Sequence, residues 1–151
     1  MNTKVKALFA ALCAIAVLGF ASCTKSNEDL IIGKWIATQD ISSTTYSGFG
    51  EAEDGTFTDT TYYEADEYYL EFHDNGTVNI VGYDEDTGEP ENVLGTYTIN
   101  DDKLVITSDG ESIEFTIKKL DKKELQLFMT LSFGMGDLSM TIESTLYLKR
   151  A

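Results

Sequence analysis

Apolar and polar side chains alternate along most of the chain after residue 30, with the period of a strand that buries one face. The later segments show this most plainly. Ile113, Phe115 and Ile117 alternate with Ser112, Glu114 and Thr116, and Leu125, Leu127, Met129 and Leu131 with Gln126, Phe128 and Thr130. Met140, Ile142, Leu146 and Leu148 share one face with Ser144. The pattern predicts eight strands, at 31–39, 67–73, 77–83, 94–100, 103–107, 111–119, 124–131 and 138–149, with 55–63 as a short ninth. Turn residues separate them: Asp74-Asn75-Gly76, Asn100-Asp101-Asp102, Ser108-Asp109-Gly110 and Asp121-Lys122-Lys123. Asn-Gly is a strong hairpin signal because both residues tolerate positive φ.

Eight consecutive antiparallel strands predict an all-β, up-and-down barrel, which removes exposed edges by closing on itself. A β-sandwich is the alternative. The long connections, 40–66, 84–93 and 132–137, fall at one end and define a mouth, while tight turns define a base. The fifth connection is also short and breaks the rule. The inward set is then Leu70, Phe72, Val78, Ile80, Tyr97, Ile99, Leu104, Ile106, Phe115, Leu127, Met129, Ile142 and Leu146. An interior this apolar would hold a hydrophobic molecule or be filled by its own large side chains. Phe72, Tyr97, Phe115 and Met129 are the candidate ligand contacts inside. Phe133 and Met135, beside Gly134 and Gly136 on a flexible mouth loop, are candidates for gating or plugging it.

The first 22 residues follow another pattern. Lys4 and Lys6 precede an apolar run from Ala7 to Phe20, and Ala21 and Ser22 follow. This is the layout of a secretory signal, too short for a membrane span of about 20 apolar residues. Leu18-Gly19-Phe20-Ala21-Ser22-Cys23 resembles the lipobox of bacterial lipoproteins, with Phe20 where leucine is usual. The resemblance implies that residues 1–22 are removed, that Cys23 is acylated, and that 23–29 tether a domain spanning 30–151. Several acyl chains anchor stably, each buried methylene adding about 0.8 kcal/mol. No aspartate follows Cys23 directly, which by the same resemblance implies the outer membrane. Glu28-Asp29 is similar to surface-export signals of some Gram-negative lipoproteins, which implies exposure on the cell surface.

Charge narrows the partners. The 151 residues carry 26 acidic and 11 basic side chains, a net charge of −15. Loss of Lys4 and Lys6 with the signal takes the mature chain to −17. Such a surface repels phosphate backbones and excludes nucleic acid as a partner. Between Trp35 and Asp102 there is no lysine or arginine and there are 17 Asp or Glu. Glu51, Glu53, Asp54, Asp84, Glu85, Asp86, Glu89 and Glu91 sit on the mouth loops. The acids either solvate the mouth and repel neighbouring acidic surfaces, or attract a cationic ligand or a divalent ion; the same loops could meet a glycan or an envelope protein. Tyrosines from Tyr46 to Tyr83 offer an aromatic face for sugar, or are ordinary strand residues.

Catalytic chemistry finds little footing. His73 is the only histidine, and Cys23 would be the mature chain's only cysteine, Cys13 leaving with the signal. Two cysteines and one histidine make neither a disulfide framework nor a Cys/His metal cluster. Asp84-Glu85-Asp86-Thr87-Gly88 lacks the EF-hand spacing, and no nucleophile elbow, phosphate loop or dinucleotide fingerprint is present. No enzyme activity, metal or cofactor is expected.

Gly33-Lys34-Trp35 on the first strand matches the G-x-W motif of lipocalins, and Arg150 follows the last strand. The mature chain resembles the lipocalin-like domains of small Gram-negative lipoproteins. In that family an arginine packs across the tryptophan and closes the barrel, so the resemblance implies base closure by Gly33, Trp35 and Arg150. It also implies a non-catalytic carrier or sensor of a small hydrophobic molecule. A filled barrel that meets a glycan or protein through its acidic mouth is the alternative.

Overall fold

The structure, a computed structural model, describes residues 26–50, 54–64, 67–83 and 88–151. The signal and Cys23 lie outside the described residues. Among the described residues one short helix, α1 (Asn27–Ile31), precedes nine strands: β1 (Gly33–Ser47), β2 (Gly55–Tyr62), β3 (Tyr69–Phe72), β4 (Thr77–Tyr83), β5 (Pro90–Asn100), β6 (Lys103–Ser108), β7 (Glu111–Leu120), β8 (Glu124–Met135) and β9 (Leu138–Arg150). β1, β3 and then β4 to β9 pair in chain order, all antiparallel, and β9 pairs back onto β1. The eight strands close into a barrel. β2 is an extra strand on the upper half of β1, in line above β3.

Three features depart from the sequence pattern. Ile31, placed on the first strand, ends α1, whose cap Ser26 accepts a hydrogen bond from the Asp29 amide at 3.3 Å. β1 continues to Ser47, through residues expected in a long loop. Phe133 and Met135, expected on a flexible mouth loop over 132–137, lie on β8; only Gly136 and Asp137 form the turn to β9. Gly136 has φ 65°, the positive value that a type II′ hairpin needs at its first central residue. The expected loop is therefore a tight hairpin.

The core occupies the lower barrel. Ile31, Trp35, Phe72, Val78, Leu104, Leu125 and Leu127 are fully buried, joined by Ala37, Ile106, Ile117 and Leu148. Leu70, Ile80, Ile99, Phe115 and Leu146 pack against them, half-buried. The Tyr97 hydroxyl donates to the His73 carbonyl at 2.8 Å, and its ring meets Phe72 edge-on at 5.0 Å. Burial, then the Asp74 and Glu28 carboxylates, raise the Tyr97 pKa above its ordinary 10.0. A raised folded value stabilises below about pH 10 and is lost as pH climbs through it. Tyr97→Phe should therefore be about 1 kcal/mol less stable at neutral pH, for the lost hydrogen bond. The gap to the wild type should narrow as pH rises above 10 in denaturant titrations.

Candidate functional site

The base is pinned by one interlocked group. The Trp35 indole N–H donates to the Ile31 carbonyl at 2.7 Å, tying the first strand to the end of α1. The Arg150 guanidinium lies 4.1 Å from the Trp35 ring centroid, a cation–π distance. Arg150 also donates to the carbonyls of Ile32 and Leu30, capping backbone groups that the short helix leaves open. Burial lowers the guanidinium pKa from its ordinary value. Gly33 has φ +119°, and a Cβ there would stand 2.6 Å from Arg150 Nη1. Gly33, Trp35 and Arg150 thus meet at one point, and Asn27 Nδ2 donates across the base to the Asp101 carbonyl at 2.8 Å.

The upper half is different, because its ladders stop at different heights. β7 pairs with β8 only as far as Thr116 opposite Phe128, while β8 runs on to Met135. β3 pairs with β1 only up to Ile36 opposite Tyr69. Above these points the wall parts into two leaves. One is the upper parts of β2, β1, β9 and β8; the other is β4 to β7.

The first leaf has unlike faces, because side chains alternate across a strand. Its inner face continues the barrel interior upward through Leu127–Leu146, Met129–Ser144, Leu131–Ile142 and Phe133–Met140. β1 adds Asp40, Ser42, Thr44 and Tyr46 to the same rows. The buried Ser144 hydroxyl donates to Asp40 at 2.6 Å, so the carboxylate faces inward. From Leu146 to Met140 the apolar column is about 20 Å long, at ~3.3 Å per residue. The outer face is hydroxyl-rich, with Ser43–Thr58 and Thr45–Thr56 each bonded at 2.9 Å.

Near the tip, Phe49, Phe133, Met135, Leu138 and Met140 line a hollow of about 260 Å³. Tyr46 braces it edge-on against Phe49 and Phe57, with centroids 5.8 and 6.0 Å away. Phe133 is 54% exposed, Phe57 58% and Met135 79%. A smaller hollow of about 150 Å³ lies lower, where Tyr63 and Tyr68 meet at 4.6 Å beside Leu70, Ile80 and Leu146.

The six candidate ligand contacts are therefore not one cluster. Phe72 and Tyr97 pack into the base, Phe115 stands half-buried in the opposite leaf, and Met129 begins the apolar column. Among the described residues, Phe133 and Met135 share a hollow. Phe49, Leu138 and Met140 complete it, and none of the three is among the contacts expected from the sequence. For Leu138 and Met140 the signal is in the sequence, since Leu131, Phe133 and Met135 alternate into Leu138, Met140 and Ile142 across the turn; Phe49 carries none. Of the mouth acids, Glu51, Glu53, Asp84, Glu85 and Asp86 lie outside the described residues. His73 sits beside the base hairpin, its Nε2 3.2 Å from the Asn79 amide. Among the described residues no three His, Cys, Asp or Glu side chains converge on a metal position, and no helix is long and apolar enough to cross a membrane.

The family model of the lipocalin-like domain matches residues 31–127, from the end of α1 into β8. The chain belongs to the lipocalin-like domain family. Two solved structures are similar to this lipocalin-like domain. One is a lipocalin-like protein from Bacteroides uniformis ATCC 8492, at 14% identity and TM-score 0.46, covering 80% of this chain and 98% of its own. The other, an uncharacterized protein from Bacteroides eggerthii DSM 20697, is also 14% identical at TM-score 0.46, covering 80% and 99%. No curated protein matches the chain. The lipocalin-like fold suggests a small-ligand binding role.

Proposed function

We propose that this lipocalin-like domain is a non-catalytic carrier or sensor in the outer envelope, and that its upper leaf binds a small hydrophobic molecule. One observation carries the reading. The inner face of β8 and β9 presents Leu131, Phe133 and Met135, all at least 40% exposed, on a surface continuous with the buried core. Exposed apolar surface of this kind marks a binding site in soluble proteins. The polar groups in the same cup, Asp40 and Ser144, would orient whatever enters, as sparse polar groups do in apolar pockets.

Anchoring by lipid at Cys23 belongs to the same proposal and rests on the sequence. Since α1 begins at Asn27, four residue steps separate it from Cys23, at most ~14 Å. The tether would thus hold the base towards the membrane and leave the split mouth facing away. A non-catalytic role agrees with the sole histidine lying by the base hairpin, away from the cup.

Titration with the neutral apolar fluorophore N-phenyl-1-naphthylamine tests the proposal on the soluble chain from residue 24. A saturable, one-to-one rise in emission is expected. Emission that grows without saturation would contradict the reading.

A further inference from the structure

We propose that the outer wall of the barrel carries a second binding site, for a neutral sugar ring, centred on Tyr147. It lies on the opposite face of the strands from the apolar cup and does not rest on that reading. Tyr147 on β9 is directly opposite Gln126 on β8 and Gln39 on β1. The three form one row across adjacent strands, an aromatic ring with an amide on each side at the ~4.8 Å strand spacing. Their neighbours Leu146 and Leu148 point into the barrel, so the row points out.

A β-bulge shapes the wall at this point. Pairing passes from Ala37 opposite Leu148 to Gln39 opposite Tyr147, and Thr38 is left over, its hydroxyl donating to the Tyr147 carbonyl at 3.0 Å. Bulges bend a strand and re-aim its side chains. Here a hollow of about 310 Å³ opens, lined by Thr38, Gln39, Glu124, Gln126, Tyr147 and Lys149. The Glu124 carboxylate is taken by Lys119. Among the described residues the two glutamine amides and the Tyr147 hydroxyl hold no hydrogen bond, and Lys149 holds no ion pair.

The lining selects the ligand. A half-buried amide wants a donor and an acceptor together, which a sugar hydroxyl supplies. The tyrosine face suits the C–H face of a pyranose. An apolar ligand would leave both amides unpaired, at a cost. Net charge −15 opposes nucleic acid, and Lys149 opposes a simple cation. The volume is at the lower limit of ordinary ligand pockets, roughly 300–1,000 Å³, and so fits a single ring.

The test is ¹H–¹⁵N NMR of the chain from residue 24, titrated separately with glucose, galactose, mannose and N-acetylglucosamine, with open-chain sorbitol as control. At least one ring sugar should shift the Gln39 and Gln126 side-chain amides saturably, and sorbitol should not. Tyr147→Leu, which keeps an apolar strand residue, should weaken that binding about tenfold or more, roughly 1.4 kcal/mol. If it fails to fold, Gln39→Ala and Gln126→Ala carry the same expectation. The proposal is overturned if none of the four sugars shifts the amides, if sorbitol shifts them equally, or if the folded variants bind as tightly as the wild type.

Discussion

Trp35→Ala should lower the stability of the domain by about 3–5 kcal/mol, the usual cost of removing a fully buried tryptophan. The reasons are local and additive in kind. The indole is fully buried, so its loss leaves a void at the point where β1, β3 and β9 meet. The Ile31 carbonyl loses its 2.7 Å donor, and the Arg150 guanidinium loses the ring beneath it. Thermal melts followed by circular dichroism should fall by roughly 10–20 °C, given a few degrees per kcal/mol for a domain of this size. Trp35→Phe keeps a ring under Arg150 but not the N–H, and should lose less. A loss below about 1 kcal/mol for the alanine variant would mean that the base is not held by this group.

Met140→Asp should abolish most binding of the apolar fluorophore, weakening it by about a hundredfold, roughly 2.7 kcal/mol. Met140 is paired with Phe133 and Tyr46 in the middle of the cup, and it lines the 260 Å³ hollow. A carboxylate there would be desolvated by an apolar ligand with no cation to meet it. The base lies some 20 Å or more away along β9, so the fold should be little changed. Unchanged fluorophore affinity in a folded Met140→Asp variant would remove the upper leaf from the function.

The sequence showed the barrel because each lower strand buries one face, and burial writes itself as alternation. It also placed Gly33, Trp35 and Arg150 at one end, through a motif and a topology that independently bring the termini together. The upper half was less legible for physical reasons. The bulge at Thr38 shifts the phase of β1 by one residue, so the inward set passes from Trp35 and Ala37 to Asp40, Ser42 and Thr44. Those side chains are polar because the leaf is open to water, and a polar stretch without phase reads as a loop. Gly134 on β8 and Gly136 in the turn likewise make that stretch read as a loop. α1 spans one and a half turns, too short for a helical period, and only Ser26 three residues before Asp29 marks its cap.

The site was half legible for a related reason. Phe133 and Met135 were visible as apolar residues near a turn, but their partners become visible only once β8 and β9 are known to form one hairpin. A loop would have made them a gate. A fully paired hairpin makes them one wall of a cup, with Met129 lower on the same face.

That placement allows a direct measurement. The chain from residue 24 contains three methionines, Met129, Met135 and Met140, and all three sit on β8 and β9 along the cup. Labelling their methyl groups with ¹³C and adding N-phenyl-1-naphthylamine should shift Met135 and Met140 saturably, with the same affinity as the fluorescence titration. If fluorescence saturates while neither methyl moves, the molecule binds elsewhere and the upper leaf is not its site.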